Sequence, residues 1–469
     1  MSKLPDFGIS GEKGRQEYLK SARKIYTDGY KRFKNSIYRL ATSDGTTSIV
    51  VAPQFLTELR KLPDDVLSFP KAVEEIMEAK YTNIVTDEPL VNHTVRADLT
   101  TALARLNPII CSEVEDAMKD EMPTCEEWTT VPIYTTLVKI VAKVSGRVFV
   151  GPELCHTEEY QESAISYTME IINVLNAIKG MRPILRPFLA PRLPEVKNLK
   201  DREKKAKAFL EPIAAARKKG MKDPEWKRPD DMLQWMLNRS EEYGVDSTER
   251  LVKCQLGLIF AAIHTTTLTL TNILYTLAVT PQYIQPLRQD IRAALENNDG
   301  VMTSRALQQM EKLDSYMKEC VRFYPPGFTS FTRKVLKGIT LSNGQYIPPG
   351  ANIETPTIAL NNDNRVFPDA EDFDGFRFYK LRKGGSTADI ARNQFVTTNE
   401  TNLSFGYGRH ACPGRFFAAN EIKMILARCL LEYDVKNADG VKERYSNIET
   451  GRQLMPDPTK QLMFRKVKA

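Results

Sequence analysis

The sequence is poor in the pairings that close disulfides or hold zinc. Its seven cysteines, at 111, 125, 155, 254, 320, 412 and 429, include no C-x-x-C pair. That argues against a disulfide framework and for free thiols in a reducing compartment. Four histidines occur, His93, His156, His264 and His410, with no H-x-x-x-H pair among them. That argues against a histidine-rich metal site. No apolar run reaches the roughly 18 residues of a membrane span, and the polar stretch Met1 to Lys20 holds no signal-peptide core. Gly/Ser linkers, internal repeats, low-complexity tracts and flavin or nicotinamide motifs are all missing. What remains is 469 residues, 42% hydrophobic and 27% charged, a composition that folds. Without a linker, residues 1–469 are expected to form one catalytic domain. The net charge of +7 is spread over interleaved lysines and glutamates. This excludes a nucleic-acid signature and suits an acidic protein partner or an anionic membrane surface.

What is present concentrates around Phe405-Gly406-Tyr407-Gly408-Arg409-His410-Ala411-Cys412-Pro413-Gly414. Gly406, Gly408 and Gly414 permit positive φ and close approach of backbone to a flat ligand. The run Phe416 to Leu431 has helical spacing, with Phe417, Ile422, Ile425, Leu426 and Leu430 apolar. Cys412 thus precedes a helix N-terminus, where N–H groups and the helix dipole favour a thiolate and hence a soft metal. A lone cysteine in such a turn would equally be a buried structural thiol.

The spacing F-x-x-G-x-[R/H]-x-C-x-G resembles the haem-binding loop of the cytochrome P450 family. The resemblance implies a mainly α fold with a small β portion, a helical bundle around buried haem b. Cys412 would be the axial ligand of the iron, with Phe405 packed beside the sulfur. His410 stands where relatives carry a propionate-binding arginine, so it becomes the donor at that position. Arg333, in Phe331-Thr332-Arg333, and Arg96 are further propionate candidates. Relatives place a tryptophan four residues before Arg96, where this chain has Asn92; His93 is a weaker candidate or simply a helix-face residue.

Other stretches carry the same resemblance. Lys253 to Leu277 reads as a long buried helix, weakened at Ala261-Ala262-Ile263-His264-Thr265-Thr266-Thr267 because threonine hydroxyls compete for backbone carbonyls. The family match puts Thr265 at the oxygen-binding face and His264 in place of the usual acid, either a proton shuttle or a core residue turned away. Glu319 and Arg322 are spaced to meet on one helix face. In the family they join Arg377 in a buried cluster. Ala261, Ala262, Phe328, Thr329 and Leu454 are expected to line the substrate pocket.

The stretch Met181 to Pro194 interleaves arginines with apolar residues and four prolines, as a loop dipping into a membrane surface would. A packed surface loop is the alternative. The resemblance further implies O2, a hydrophobic small-molecule substrate and an NADPH-cytochrome P450 reductase, docked near Arg409, Arg415 and Lys423. It also implies the cytosolic face of the endoplasmic reticulum membrane, with an N-terminal anchor expected and missing from this chain. The loop phrases look like those of fungal biosynthetic members, which oxidise terpenoids, indole diterpenes, polyketides and alkaloids. A haem-thiolate isomerase or coupling enzyme, and a non-catalytic haem sensor, are the alternatives.

Overall fold

The computed structural model describes residues 4–9, 11–43, 47–245 and 247–467; the expected turn at Ser43-Asp44-Gly45 falls largely outside them. The long helices that frame the fold are α1 (Gly11–Arg32), α2 (Thr100–Glu121), α3 (Ile133–Phe149), α4 (Glu158–Gly180), α5 (Pro194–Gly220), α6 (Thr248–Leu277), α7 (Glu311–Phe323) and α8 (Arg415–Glu432).

Helix α6 is the axis of the helical part. Ser247 caps it, its hydroxyl accepting from Arg250 N. It then runs 30 residues against α3, α4, α5 and α8. It is long and apolar enough to cross a membrane, but its neighbours here are the core of the bundle. The threonine run does not break it. Thr265, Thr267, Thr269 and Thr271 each donate to the carbonyl four residues back, at 2.7, 2.8, 2.9 and 2.8 Å. The hydroxyls find their partners inside the helix, so the expected competition is satisfied without a break.

The β portion is a six-stranded sheet in the order Asp6–Phe7, Ile37–Ala41, Thr47–Val51, Asn352–Thr355, Ser330–Val335, Leu67–Ser68. The strand Ser330–Val335 alternates, with Phe331, Arg333 and Val335 on its buried side. A period of two thereby puts an arginine inward. Residues 68–95 read from sequence as irregular, with a helix starting at Asn92; the structure instead forms short helices, Phe69–Ile76, Ala79–Thr82 and Pro89–His93, along that stretch. The chain passes from α-helical Pro89–His93 through a π-helical turn, Thr94–Leu99, directly into α2.

Helix α7 holds two buried carboxylates. Glu319 is fully buried and meets Arg322 at 2.8 Å and Arg377 at 3.2 Å. The two arginines then donate to the carbonyls of Asn361, Ala370, Asp369 and Asp372, so the cluster fixes the irregular chain that leads toward Cys412. Asp314 has no signal in the sequence. It pairs with Lys423 of α8 at 2.7 Å and with Arg382, and it accepts from Phe395 N at 2.9 Å. Lys423 therefore does not belong to a solvent-facing docking patch, as its place in the sequence suggests. It is buried, and it also donates to Leu307 O.

Burial pushes the Asp314 carboxyl up, but Lys423 and Arg382 more than offset this and hold it down at about 2. Its ordinary value is about 3.9. The folded state therefore gains stability from this group above pH about 4, and loses it as pH falls toward 2. Asp314→Asn leaves two buried cations uncompensated and should cost about 3–5 kcal/mol at pH 7 in urea unfolding. The difference from the parent should narrow below pH 4. An unchanged midpoint at pH 7 would contradict the clamp.

Candidate active site

The cysteine loop is built by two glycines. Gly406 and Gly408 both have φ of +74°, and a Cβ on Gly406 would stand 3.3 Å from His410 O. Gly414 has an ordinary negative φ of −87°, so the expectation for it fails. Cys412 N donates to Phe405 O at 2.7 Å, closing the loop. Phe405 meets Phe395 edge-to-face at 5.2 Å. Arg415 Nη1 donates to Cys412 O at 2.9 Å. Burial pushes the Cys412 thiol up, against the pull of the Gly414 and Arg415 N–H groups and the Arg415 charge. The helix terminus alone does not make the thiolate expected from sequence; a cation at the sulfur would complete it.

Cys412 opens onto an apolar cavity of about 420 Å³. Across from the loop, α6 contributes Gly257, Ala261, Thr265 and Thr269, one stripe at four-residue spacing, together with Leu258, Ala262 and Thr266. Thr265 and Ala261 are exposed only because they face this space, in a helix otherwise packed on all sides. Asn92, Val95 and Leu99 form a third wall; Val321, Pro326 and Phe395 a fourth. Gly257, Leu258 and Thr269 are absent from the pocket expected from sequence, although helical spacing from Thr265 and Ala262 would have found them. The cavity size is that of a small-molecule site, with few polar groups.

Several expected residues lie elsewhere. The His264 side chain is 3% exposed, with Nε2 3.0 Å from Ile165 O and Nδ1 3.0 Å from Tyr134 Oη. A carbonyl only accepts, so the proton sits on Nε2, and Nδ1 accepts from the tyrosine. A step of about 100° per residue turns His264 from the Thr265 face onto α3 and α4. Burial lowers its proton affinity further. The shuttle expectation is therefore replaced by a packed, neutral histidine. His93 Nδ1 is 2.7 Å from Tyr243 Oη and lies off the cavity. His410 stacks on Phe69, with Nε2 2.7 Å from Asp64 Oδ1. Phe328 and Leu454 are buried with Tyr18, Tyr26 and Ile358 beneath the sheet, and Thr329 acts on Glu354. None of these three is in the cavity wall, and Pro326 takes the place expected of Phe328.

Two arginines remain near the loop. Arg96 donates to Arg409 O at 2.7 Å. Arg333 is 5% exposed, lies over the rings of Phe331 and Phe69, and pairs with no carboxylate among the described residues. Burial lowers it to about 10, with Asp64 only partly compensating. A buried guanidinium without an anion is costly, and a ligand carboxylate would satisfy it.

The family model for Cytochrome P450 matches residues 20–464. The chain belongs to the cytochrome P450 family. It is 38% identical over 98% of its length to cytochrome P450 monooxygenase TES1 of Alternaria alternata, spanning 87% of that protein. It is 39% identical over 90% of its length to cytochrome P450 monooxygenase ATR3 of Stachybotrys chlorohalonatus, spanning 89% of it. Among solved structures, retinoic acid bound cyanobacterial CYP120A1 has the same fold, with a TM-score of 0.74 over 99% of both chains at 18% identity. The enzyme class is thus cytochrome P450 monooxygenase, an oxidoreductase, and the family's cofactor is haem b. The residues present fit it: a thiol facing an apolar cavity, small residues along α6 opposite, and a buried arginine lacking an anion.

Arg333→Met removes a buried charge whose anion the protein does not itself supply. The haem-free protein should be at least as stable in thermal unfolding, while the haem-to-protein ratio after purification falls severalfold. Full haem retention would contradict the assignment of Arg333 to a propionate.

Proposed function

We propose that residues 1–469 form one monooxygenase unit that oxidises a hydrophobic natural product, of terpenoid, indole diterpene, polyketide or alkaloid type, in fungal secondary metabolism. The observation that carries this reading is the pairing of Cys412 and Thr265 on facing walls of one apolar cavity. Cys412 would hold the haem there, with Arg333 and Arg96 toward its propionates, and the bound haem would supply the oxygen activation. The chain's own residues do the rest. Leu99, Leu258, Val321 and Phe395 exclude water and hold an apolar substrate. Ala261 and Ala262 keep the middle of α6 low. The Thr265 hydroxyl, donating to Ala261 O at 2.7 Å, keeps its lone pairs toward the cavity and can accept and pass a proton there.

Electrons come from an NADPH-cytochrome P450 reductase, since the sequence carries no flavin or nicotinamide motif. Arg409, with its side chain 45% exposed, belongs to the docking face on the cysteine side.

The protein works at the cytosolic face of the endoplasmic reticulum membrane. The loop 181–194 supports that reading by inverting the usual burial. Arg186 is buried, paired to Glu78 at 2.5 Å and donating to Ser43 O at 2.9 Å. Ile184 and Phe188 are 77% and 66% exposed, with Leu185 and Leu189 beside them. Arg186, one of the arginines interleaved along this loop, anchors it to the body of the protein. Its apolar neighbours form the outward patch that suits a bilayer.

Thr265→Ala should keep haem and substrate binding but divert electrons to peroxide, lowering product per NADPH about tenfold or more; full coupling would contradict the role. Ile184→Asp with Phe188→Asp removes two side chains, each worth about 1.5–3 kcal/mol when buried. Flotation with anionic vesicles should then fall at least tenfold, and an unchanged partition would assign the loop to another partner. Product formation from a panel of hydrophobic natural products, with reductase and NADPH, tests the reading as a whole.

A further inference from the structure

Away from the cavity, three side chains of different donor type converge. Glu113 comes from α2. Cys155 ends the short helix Pro152–Cys155, and His156 follows it in the turn before α4. A ring nitrogen of His156, the Cys155 sulfur and a Glu113 carboxylate oxygen all lie within 4.8 Å of one another. Cys155 is fully buried and Glu113 is 7% exposed, whereas the His156 side chain is 43% exposed. The group is therefore closed on the sulfur side and open to solvent on the histidine side.

These side chains are poorly satisfied by one another. His156 Nε2 is 2.8 Å from Glu113 Oε1. Oε1 nevertheless makes no hydrogen bond among the described residues, so the ring N–H is not aimed at it. The other oxygen, Oε2, faces Arg147 Nε at 3.8 Å, beyond hydrogen-bond length. The Cys155 thiol donates to Pro152 O over 3.6 Å. Burial pushes that thiol up to about 12, and the Glu113 charge beside it acts the same way. Burial likewise raises the Glu113 carboxyl, against the charges of His156 and Arg147. A buried acceptor left without a donor is costly, and a cation shared by the three groups would remove that cost.

Sulfur, imidazole and carboxylate together suit zinc. Bonds of about 2.0–2.3 Å at tetrahedral angles put zinc ligand atoms about 3.3–3.7 Å apart. His156, on the exposed edge, is the ligand free to adjust to that spacing. Arg147 lies on the Oε2 side of Glu113 and leaves Oε1 for the ion. Calcium and magnesium take oxygen ligands, so the sulfur selects against them. We propose that Glu113, Cys155 and His156 form a zinc site, completed by water on its open edge, that pins α2 to the link between α3 and α4. Binding forms the Zn–S, Zn–N and Zn–O bonds and releases the Cys155 thiol proton to solvent. All three residues lie outside the cavity wall, so the ion is structural and takes no part in the oxidation.

The haem-loaded protein, dialysed against a chelator and titrated with zinc chloride in the presence of a fluorescent zinc indicator, provides the test. One zinc per chain should be withheld from the indicator, excess magnesium should not displace it, and Tm should rise on loading. X-ray absorption at the zinc edge does not read the haem iron, and it should show one sulfur at about 2.3 Å. His156→Ala alters an exposed side chain, so it should keep the haem content and weaken zinc binding about tenfold or more. Cys155→Ser should remove the sulfur from the zinc shell. Cys111→Ser, at the half-buried thiol elsewhere on α2, should change neither. No competition with the indicator overturns the proposal. So does a zinc shell without sulfur, or an affinity unmoved in His156→Ala, either of which means an adventitious ion only. None of these readouts needs turnover, so the zinc site stands or falls apart from the monooxygenase reading.

Discussion

A single helix, α7, decides whether the cysteine loop exists. Its two buried carboxylates point to different parts of the chain. Glu319 collects Arg322 and Arg377, which then gather the carbonyls of the irregular segment. Asp314 collects Lys423 of the helix behind Cys412 and Arg382 of the segment before it. Neither carboxylate is worth much as an isolated pair. Each matters because leaving any partner buried alone is strongly unfavourable, so the loop is held where the chain has almost no regular secondary structure.

The cavity depends on that framework. With the loop fixed on one side, α6 only has to present a face of small residues, and Gly257, Ala261, Thr265 and Thr269 provide it at one-turn intervals. The apolar wall is generic, and it admits a hydrophobic molecule without naming one. Specific demands come from the polar exceptions: a thiol that burial keeps from ionising alone, an arginine with no anion, and Glu421 of α8, a glutamic acid with no cation. One prosthetic group would satisfy the first two. The third stays inside the protein and remains neutral.

The parts of this arrangement written in local spacing are legible from sequence. The helix after Cys412, the threonine-bearing central helix and the Glu319–Arg322 pair come from short-range periodicity, whereas Arg377 joins that pair only through the family resemblance. Side-chain direction is not legible. His264 sits one residue from Thr265, and only the angular step of the helix and the presence of Tyr134 and Ile165 decide that it faces away. Phe328 and Leu454 suggest pocket residues by position in the chain, but tertiary packing places them under the sheet with Tyr18 and Tyr26. Lys423 and Arg186 look like solvent charges because their partners, Asp314 and Glu78, are more than a hundred residues away. Glu421 draws no notice, since nothing local marks a glutamate as one that will be buried without a cation.

The central claim is that Cys412 holds haem iron as a thiolate in this cavity. The carbon-monoxide difference spectrum of the dithionite-reduced protein, recorded beside Cys412→Ser, tests it most directly. A strongly red-shifted Soret band that is lost in the serine variant is the predicted result. An unshifted band, or a shifted band that survives the substitution, would contradict the account and return Cys412 to the status of a structural thiol.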